Sequence, residues 1–160
     1  MYVIHEPTVP VALDKVCFGY RKIPVSRRGH VVGWHPVRRG HAQVPFESRL
    51  ERDVITWAAA LPGFRRIQAQ PFTLWLPDDS SAVRYTPDFY IEFSCIVSRN
   101  LHCGLPPTNS FLVEAKYDGD WQQHKQQLRP KLIAACQVLS IPLIVLTEYD
   151  VRAAGGYGHE

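Results

Sequence analysis

Apolar and polar positions alternate with recognisable periods along most of the chain. In "FESRLERDVITWAAALPG", residues 46–63, Leu50, Val54, Trp57 and Leu61 recur near a 3.6-residue period, and Leu-Pro-Gly closes the run, which predicts a helix. "FRRIQAQPFTLWL" (64–76) predicts a strand, "PDDSS" (77–81) a turn, and residues 82–93 a second strand in which Phe89, Ile91 and Phe93 alternate. Residues 95–109, with Asn100, Gly104, Pro106 and Pro107, predict a loop, and "SFLVEAKY" (110–117) a third strand. "DGDWQQHKQQLRPKLIAACQVLS" (118–140) places Leu128, Leu132, Cys136 and Leu139 on one stripe, a helix that Pro130 is expected to kink or restart. "IPLIVLTE" (141–148) is apolar without alternation, the pattern of a strand buried on both faces. Residues 1–45, rich in Pro, Gly and basic side chains, predict short strands or an extended arm. Helix, three strands, helix, strand predicts an α/β fold with a mixed sheet flanked by helices. The expected division is a basic N-terminal arm or subdomain over 1–46, a core over 47–148 and a tail over 149–160.

Two of these strands carry charge where an apolar strand has little use for it. Glu114 and Lys116 share one face of the third strand, while Phe111, Val113 and Ala115 take the other. Asp88 points away from Phe89 and Ile91 on the preceding strand. If the two strands are hairpin-like neighbours, Asp88 meets Glu114 and Lys116 at one edge of the sheet. Two carboxylates brought together repel, so one stays protonated unless they share a cation. Hard carboxylate oxygens suit Mg²⁺ or Mn²⁺. The Lys116 ammonium can then hold a water or help to deprotonate it, the layout of metal-assisted phosphodiester hydrolysis.

An acid-x-Lys triplet is a weak signal alone, and Pro77-Asp78 is a decoy lying in a turn. Placement of each half in an apolar strand raises the signal; the alternative is a surface salt bridge between Glu114 and Lys116. Glu47 and Glu51, four apart on the first helix, read with Arg49, Arg52 and Asp53 either as a charged exposed side or as the source of a third carboxylate. Gln68 and Gln70 alternate and can hold a phosphate or a water; for Gln68 a polar edge-strand face is the preferred reading.

Composition narrows the class further. Hydrophobic residues make up 46% of the chain and charged ones 21%, which excludes a disordered protein. No run has the length of a membrane span, and Glu6 with the N-terminal prolines is unlike a signal peptide, so a cytoplasmic protein is expected. The four cysteines contain no C-x-x-C pair. Cys136 reads as a small core residue, and Cys95, His102 and Cys103 match no usual zinc spacing. Net charge is +3, but residues 1–46 hold seven Lys/Arg against two acids, a balance of +5 that leaves −2 for the remainder. From Lys15 to Phe46 there is no acid, while Arg21, Lys22, Arg27, Arg28, Arg38 and Arg39 accumulate beside His30, His35 and His41. Such a segment suits a polyanion, with Trp34 or Tyr20 available for packing; a solvated arm is the plainer reading.

"FESRLERDVITW", "QAQPFTL", "RYTPDFYIEF" and "FLVEAKY", in this order, resemble the TnsA endonuclease subunit of heteromeric transposases. TnsA belongs to the PD-(D/E)xK superfamily, which has a restriction-endonuclease-like fold, and the resemblance spans about residues 20–148. It implies that Glu51 is the helix glutamate of the active site, Asp88 the central metal-binding aspartate, Glu114 and Lys116 the acid-x-lysine pair, and Gln70 the glutamine before proline. It further implies Mg²⁺-dependent cutting of one strand of double-stranded DNA at each transposon end. A TnsB-like transposase would make the other cut and the joining step, and a TnsC-like ATPase regulator would bind the complex. Well-known members carry a C-terminal helical domain that contacts the regulator, whereas this sequence ends at Glu160. A short TnsA-like nuclease of a phage or another integrating element fits the same motifs equally well. Two further readings stay open: a free-standing restriction, repair or junction nuclease of the same fold, and a non-catalytic DNA-binding assembly subunit.

Overall fold

Val44, Phe46, Leu50 and Val54 begin the core, and the elements that carry them follow from the sequence pattern. The computed structural model describes residues 1–4, 17–19, 31–37, 43–77, 82–96 and 106–154. Strands β1 (Tyr2–Ile4), β2 (Cys17–Gly19), β3 (Gly33–Pro36) and β4 (Gln43–Phe46) precede helix α1 (Arg49–Ala60). Then come β5 (Phe64–Ala69), β6 (Thr73–Pro77), β7 (Ala82–Tyr85), β8 (Phe89–Phe93) and β9 (Ser110–Ala115). Helix α2 (Asp118–Leu139), β10 (Leu143–Leu146) and helix α3 (Glu148–Ala154) complete the order.

The main sheet has five strands in the order β1-β10-β9-β8-β5. Its β9–β10 pair is parallel, joined through α2, and the other pairs are antiparallel, so the sheet is mixed. Alternation then divides the buried side chains. Phe89, Ile91, Phe93, Phe111, Val113, Ile144 and Leu146 face α1 and α3, whose Val54, Ile55, Trp57 and Val151 complete that layer. Leu112, Leu143, Val145 and Ile4 face the other way, toward Leu132, Ala135 and Cys136 of α2. Phe89, Ile91, Phe111 and Val113 are fully enclosed, and truncating a phenylalanine at such a place costs about 3–5 kcal/mol.

Several expectations change. The run 64–76 is two strands rather than one, broken at Gln70-Pro71, and 82–93 is likewise two, broken at Thr86-Pro87-Asp88. Each proline lacks an amide donor and leaves the ladder, so β5 and β8 pair in the main sheet while β6 and β7 pair with each other and with β2 in a second one. Of the two readings left for residues 1–45, short strands or an extended arm, residues 2–4 take the first and form an edge strand of the main sheet on β10. Of the kink or restart expected at Pro130 the restart does not occur: α2 runs on through it from Asp118 to Leu139, and Pro130 lies on an exposed stretch, where the carbonyl one turn back can meet water. The expected tail contains α3, whose Val151 is buried against the α1 layer. Between α1 and β5 the chain turns at Gly63, with φ of +75°, a left-handed conformation that favours glycine.

Cys136 is buried in the core as expected, and Cys95 is exposed. His102 and Cys103, the turn residues 78–81, and the basic residues Arg21, Lys22, Arg27, Arg28, Arg38 and Arg39 lie outside the described residues. Among the described residues no helix is long and apolar enough to cross a membrane.

Candidate active site

The antiparallel register of β8 and β9 pairs Phe89 with Val113 and Tyr90 with Leu112. Carried one residue further, that register sets Asp88 opposite Glu114. The expected meeting of these carboxylates therefore occurs, but not at a lateral edge. β8 and β9 are interior strands, and the two acids lie at their ends, where the Thr86-Pro87 break lets β8 leave the sheet. Backbone bonds hold this end in place: Ala115 N–H donates to Asp88 Oδ2 at 2.8 Å, and Gln70 N–H donates to the Asp88 carbonyl at 2.8 Å.

Glu114 is buried, with 5% of its surface exposed. The Tyr85 hydroxyl donates to its Oε2 at 2.9 Å, and Lys116 Nζ lies 3.1 Å from its Oε1. Burial, followed by the charges of Glu114 and Asp88, pushes the Tyr85 hydroxyl well above its ordinary range, so it stays a proton donor. Asp88 is pushed well above the ordinary carboxylate range, by burial first and then by Glu114 and Glu51; Lys116 and the Ala115 N–H act in the other direction. For Lys116 burial is the largest cause and disfavours the ammonium, but Glu114, Asp88 and Glu51 together outweigh it and hold the amine charged. The site is thus an acid cluster with one cation, not a balanced ion pair.

Glu51 reaches this field from α1 in a different role. Ser48 caps the helix: its Oγ accepts from Glu51 N–H at 3.1 Å, and the Ser48 hydroxyl donates to Glu51 Oε1 at 3.1 Å. The Glu47 N–H donates to Glu51 Oε2 at 2.7 Å. This is a variant of the capping box, written in the sequence as Ser-x-x-Glu, in which the Glu51 carboxylate takes the Glu47 N–H and the Ser48 hydroxyl in place of the Ser48 N–H. Burial raises the Glu51 carboxyl above its ordinary range, and the hydrogen bonds from Glu47 and Ser48 oppose that shift. Among the described residues no three His, Cys, Asp or Glu side chains converge on a common point that would hold a metal ion, so the three-carboxylate set of Asp88, Glu114 and Glu51 is not assembled. Each oxygen of Glu51 accepts one hydrogen bond in the cap.

Gln70 does come to the site, through its backbone bond to Asp88. Its φ of +43° is left-handed, unusual for a residue with a side chain, and its Oε1 is buried with no donor among the described residues. Gln68 is exposed on β5, the polar edge-strand position expected of it. Tyr85 was not legible from the pattern: it lies three residues before Asp88, and only the break in the strand turns it toward Glu114. The Ser48 cap was not singled out either, although its Ser-x-x-Glu spacing is a signal that marks it.

Asp88 and Glu114 suit a hard divalent cation. Mg²⁺ needs only one or two protein carboxylates when substrate phosphates and waters complete its shell. Asp88 keeps Oδ1 with no bond from the described residues, and each carboxylate oxygen has lone pairs beyond the bonds it accepts. A cation there would also remove the repulsion that now opposes ionisation of Asp88. No protein-family model matches the chain, and no curated protein matches it in sequence.

Proposed function

We propose that the chain is a metal-dependent DNA endonuclease of the TnsA type, with a restriction-endonuclease-like core, that hydrolyses one strand at a transposon end beside a TnsB-like transposase. The observation that carries this reading is the register of β8 and β9. It puts Asp88 opposite Glu114, with Lys116 3.1 Å from Glu114, in a cluster where burial and like charge oppose ionisation. A structural ion pair has no need of the second acid.

In this reading Asp88 and Glu114 would hold Mg²⁺ or Mn²⁺, which would supply charge neutralisation at the phosphate and a lowered pKa for a bound water. Lys116 donates a hydrogen bond to that water or to a phosphate oxygen and supports the charge that develops there. Tyr85 fixes the Glu114 carboxylate, and Ala115 N–H fixes that of Asp88, so neither must reorganise when the substrate arrives. Gln70 Oε1 is an acceptor for a water at the same strand end. Glu51 stays in the helix cap and adds to the negative field.

The test is incubation with Mg²⁺ or Mn²⁺ and end-containing duplex DNA, with and without the transposase encoded beside it. Strand-specific nicking only in the joint reaction is the expected result. Nicking by the chain alone would make it a free-standing nuclease, and no nicking under either condition would overturn the reading.

A further inference from the structure

A groove of about 460 Å³ opens beside the candidate site and runs along α2, lined by Lys116, Asp120, His124, Gln127, Leu128 and Lys131. Asp120, His124, Gln127 and Lys131 are spaced by four, three and four residues, so they form one stripe on one side of the helix. The stripe starts at Lys116 and leads away from the carboxylates. From Trp121 to Thr147 there is no acid, while His124, Lys125, Arg129 and Lys131 all occur in that run. His124, Gln127 and Lys131 are engaged in no ion pair or side-chain hydrogen bond among the described residues.

We infer that this groove is the path of one DNA strand, whose phosphates next to the scissile bond are taken by His124, Gln127 and Lys131. Two observations favour DNA: past Asp120 the helix carries no acid, so the groove there offers only His124, Gln127 and the Lys131 cation to a phosphate, and the groove is continuous with Lys116. The distance fits as well. Seven residues of helix from His124 to Lys131 rise about 10 Å, the axial rise of about three nucleotides in one strand of a duplex. Asp120 is the one acid of the groove and stands at its Lys116 end. Contacts of this kind position the backbone and read no sequence.

The inference rests on the nuclease reading, so its test measures binding rather than cleavage. Fluorescence anisotropy with a labelled duplex, without divalent metal and over a range of salt, reads affinity and salt slope for wild type, Lys131→Gln, Lys131→Glu and Arg65→Gln. Arg65 is an exposed cation on β5, away from the groove. Lys131→Gln should lower the salt slope by about 1, and Lys131→Glu should weaken binding about tenfold on every sequence, with Arg65→Gln unchanged. A thermal melt matching wild type shows that each variant is folded. If wild type binds and the Lys131 variants keep its slope, the groove is overturned while the nuclease reading stands. If wild type binds no DNA even with metal and the partner transposase present, both fall.

Discussion

Glu92 and Glu114 occupy the same face of the β8–β9 pair at opposite ends, and each meets cations. Glu92 takes Arg65 at 2.9 Å and Arg66 at 2.7 Å. A bulge between Phe64 and Arg66 lets both arginines turn to one side, where their side chains are 68% and 60% exposed. Two exposed cations and one acid make a solvated clasp, the kind of pair worth about 0–1 kcal/mol. Glu114 has one cation, a phenol, a facing aspartate and 6% side-chain exposure. Sequence spacing treats these glutamates alike, since each lies in an apolar strand. What separates them is the second acid and the depth, which turn a pair into a site with charge left to balance.

The largest expected effect lies in catalysis. Asp88→Asn and Glu114→Gln should each lower metal-dependent nicking by about 10²–10³-fold or more, the scale of losing one fixed electrostatic group, while Glu92→Gln keeps wild-type activity. Single-turnover nicking measures this, and equal loss in all three would erase the distinction. Lys116→Ala should lose rate yet still bind the cation.

Next comes the ion itself. With Mn²⁺ at 100 times its dissociation constant, wild type and Glu92→Gln should gain about 2.7 kcal/mol, read as a higher melting temperature. Asp88→Asn should gain nothing. A shift in all three would move the cation elsewhere.

Tyr85→Phe strips a donor from a buried carboxylate and should cost about 1–3 kcal/mol in urea unfolding, whereas Arg65→Gln should cost less than about 1. Equal costs would mean that Glu114 is no more enclosed than Glu92.

The smallest effect is in pH. The folded-state pKa values of Asp88 and Glu51 are raised, so their contribution is fully present below the ordinary carboxylate range and is lost as pH rises through the raised values. Metal-free wild type should therefore lose stability relative to Asp88→Asn between acid and neutral pH. At neutral pH the variant should be more stable by about 1 kcal/mol, or ~2–4 °C in melting temperature for a chain of this size. Its Asn oxygen still accepts from Ala115 N–H. Parallel stability curves for the two proteins would show that Asp88 is not opposed by its neighbours.

Much of the frame was legible because period follows directly from backbone geometry. The α1 stripe, the alternation of Phe89, Ile91 and Phe93, and the fully buried β10 each needed only local spacing. Asp88, Glu114 and Lys116 stood out because a charge in an apolar strand is costly unless something uses it. The division of 64–76 and 82–93 was harder to see. A proline in a strand can end it or merely mark an edge, and which of these holds depends on the partner strands.

By itself, then, the sequence determined which segments are helix or strand, which face of each is apolar, and which strands carry misplaced charge. All of these depend on neighbours within a few residues along the chain. Tertiary structure decided what those charges meet. Twenty-six residues separate Asp88 from Glu114, and only the β8–β9 register brings them opposite. Tyr85 reaches Glu114 only because β7 leaves for a second sheet. Glu51 was singled out from its motif, and the fold gives its oxygens hydrogen bonds from Ser48 and Glu47 within its own helical turn, while its charge still acts on Asp88 and Lys116. Burial and mutual charge are sums over groups distant in sequence, and they exist only once the sheet has closed around them.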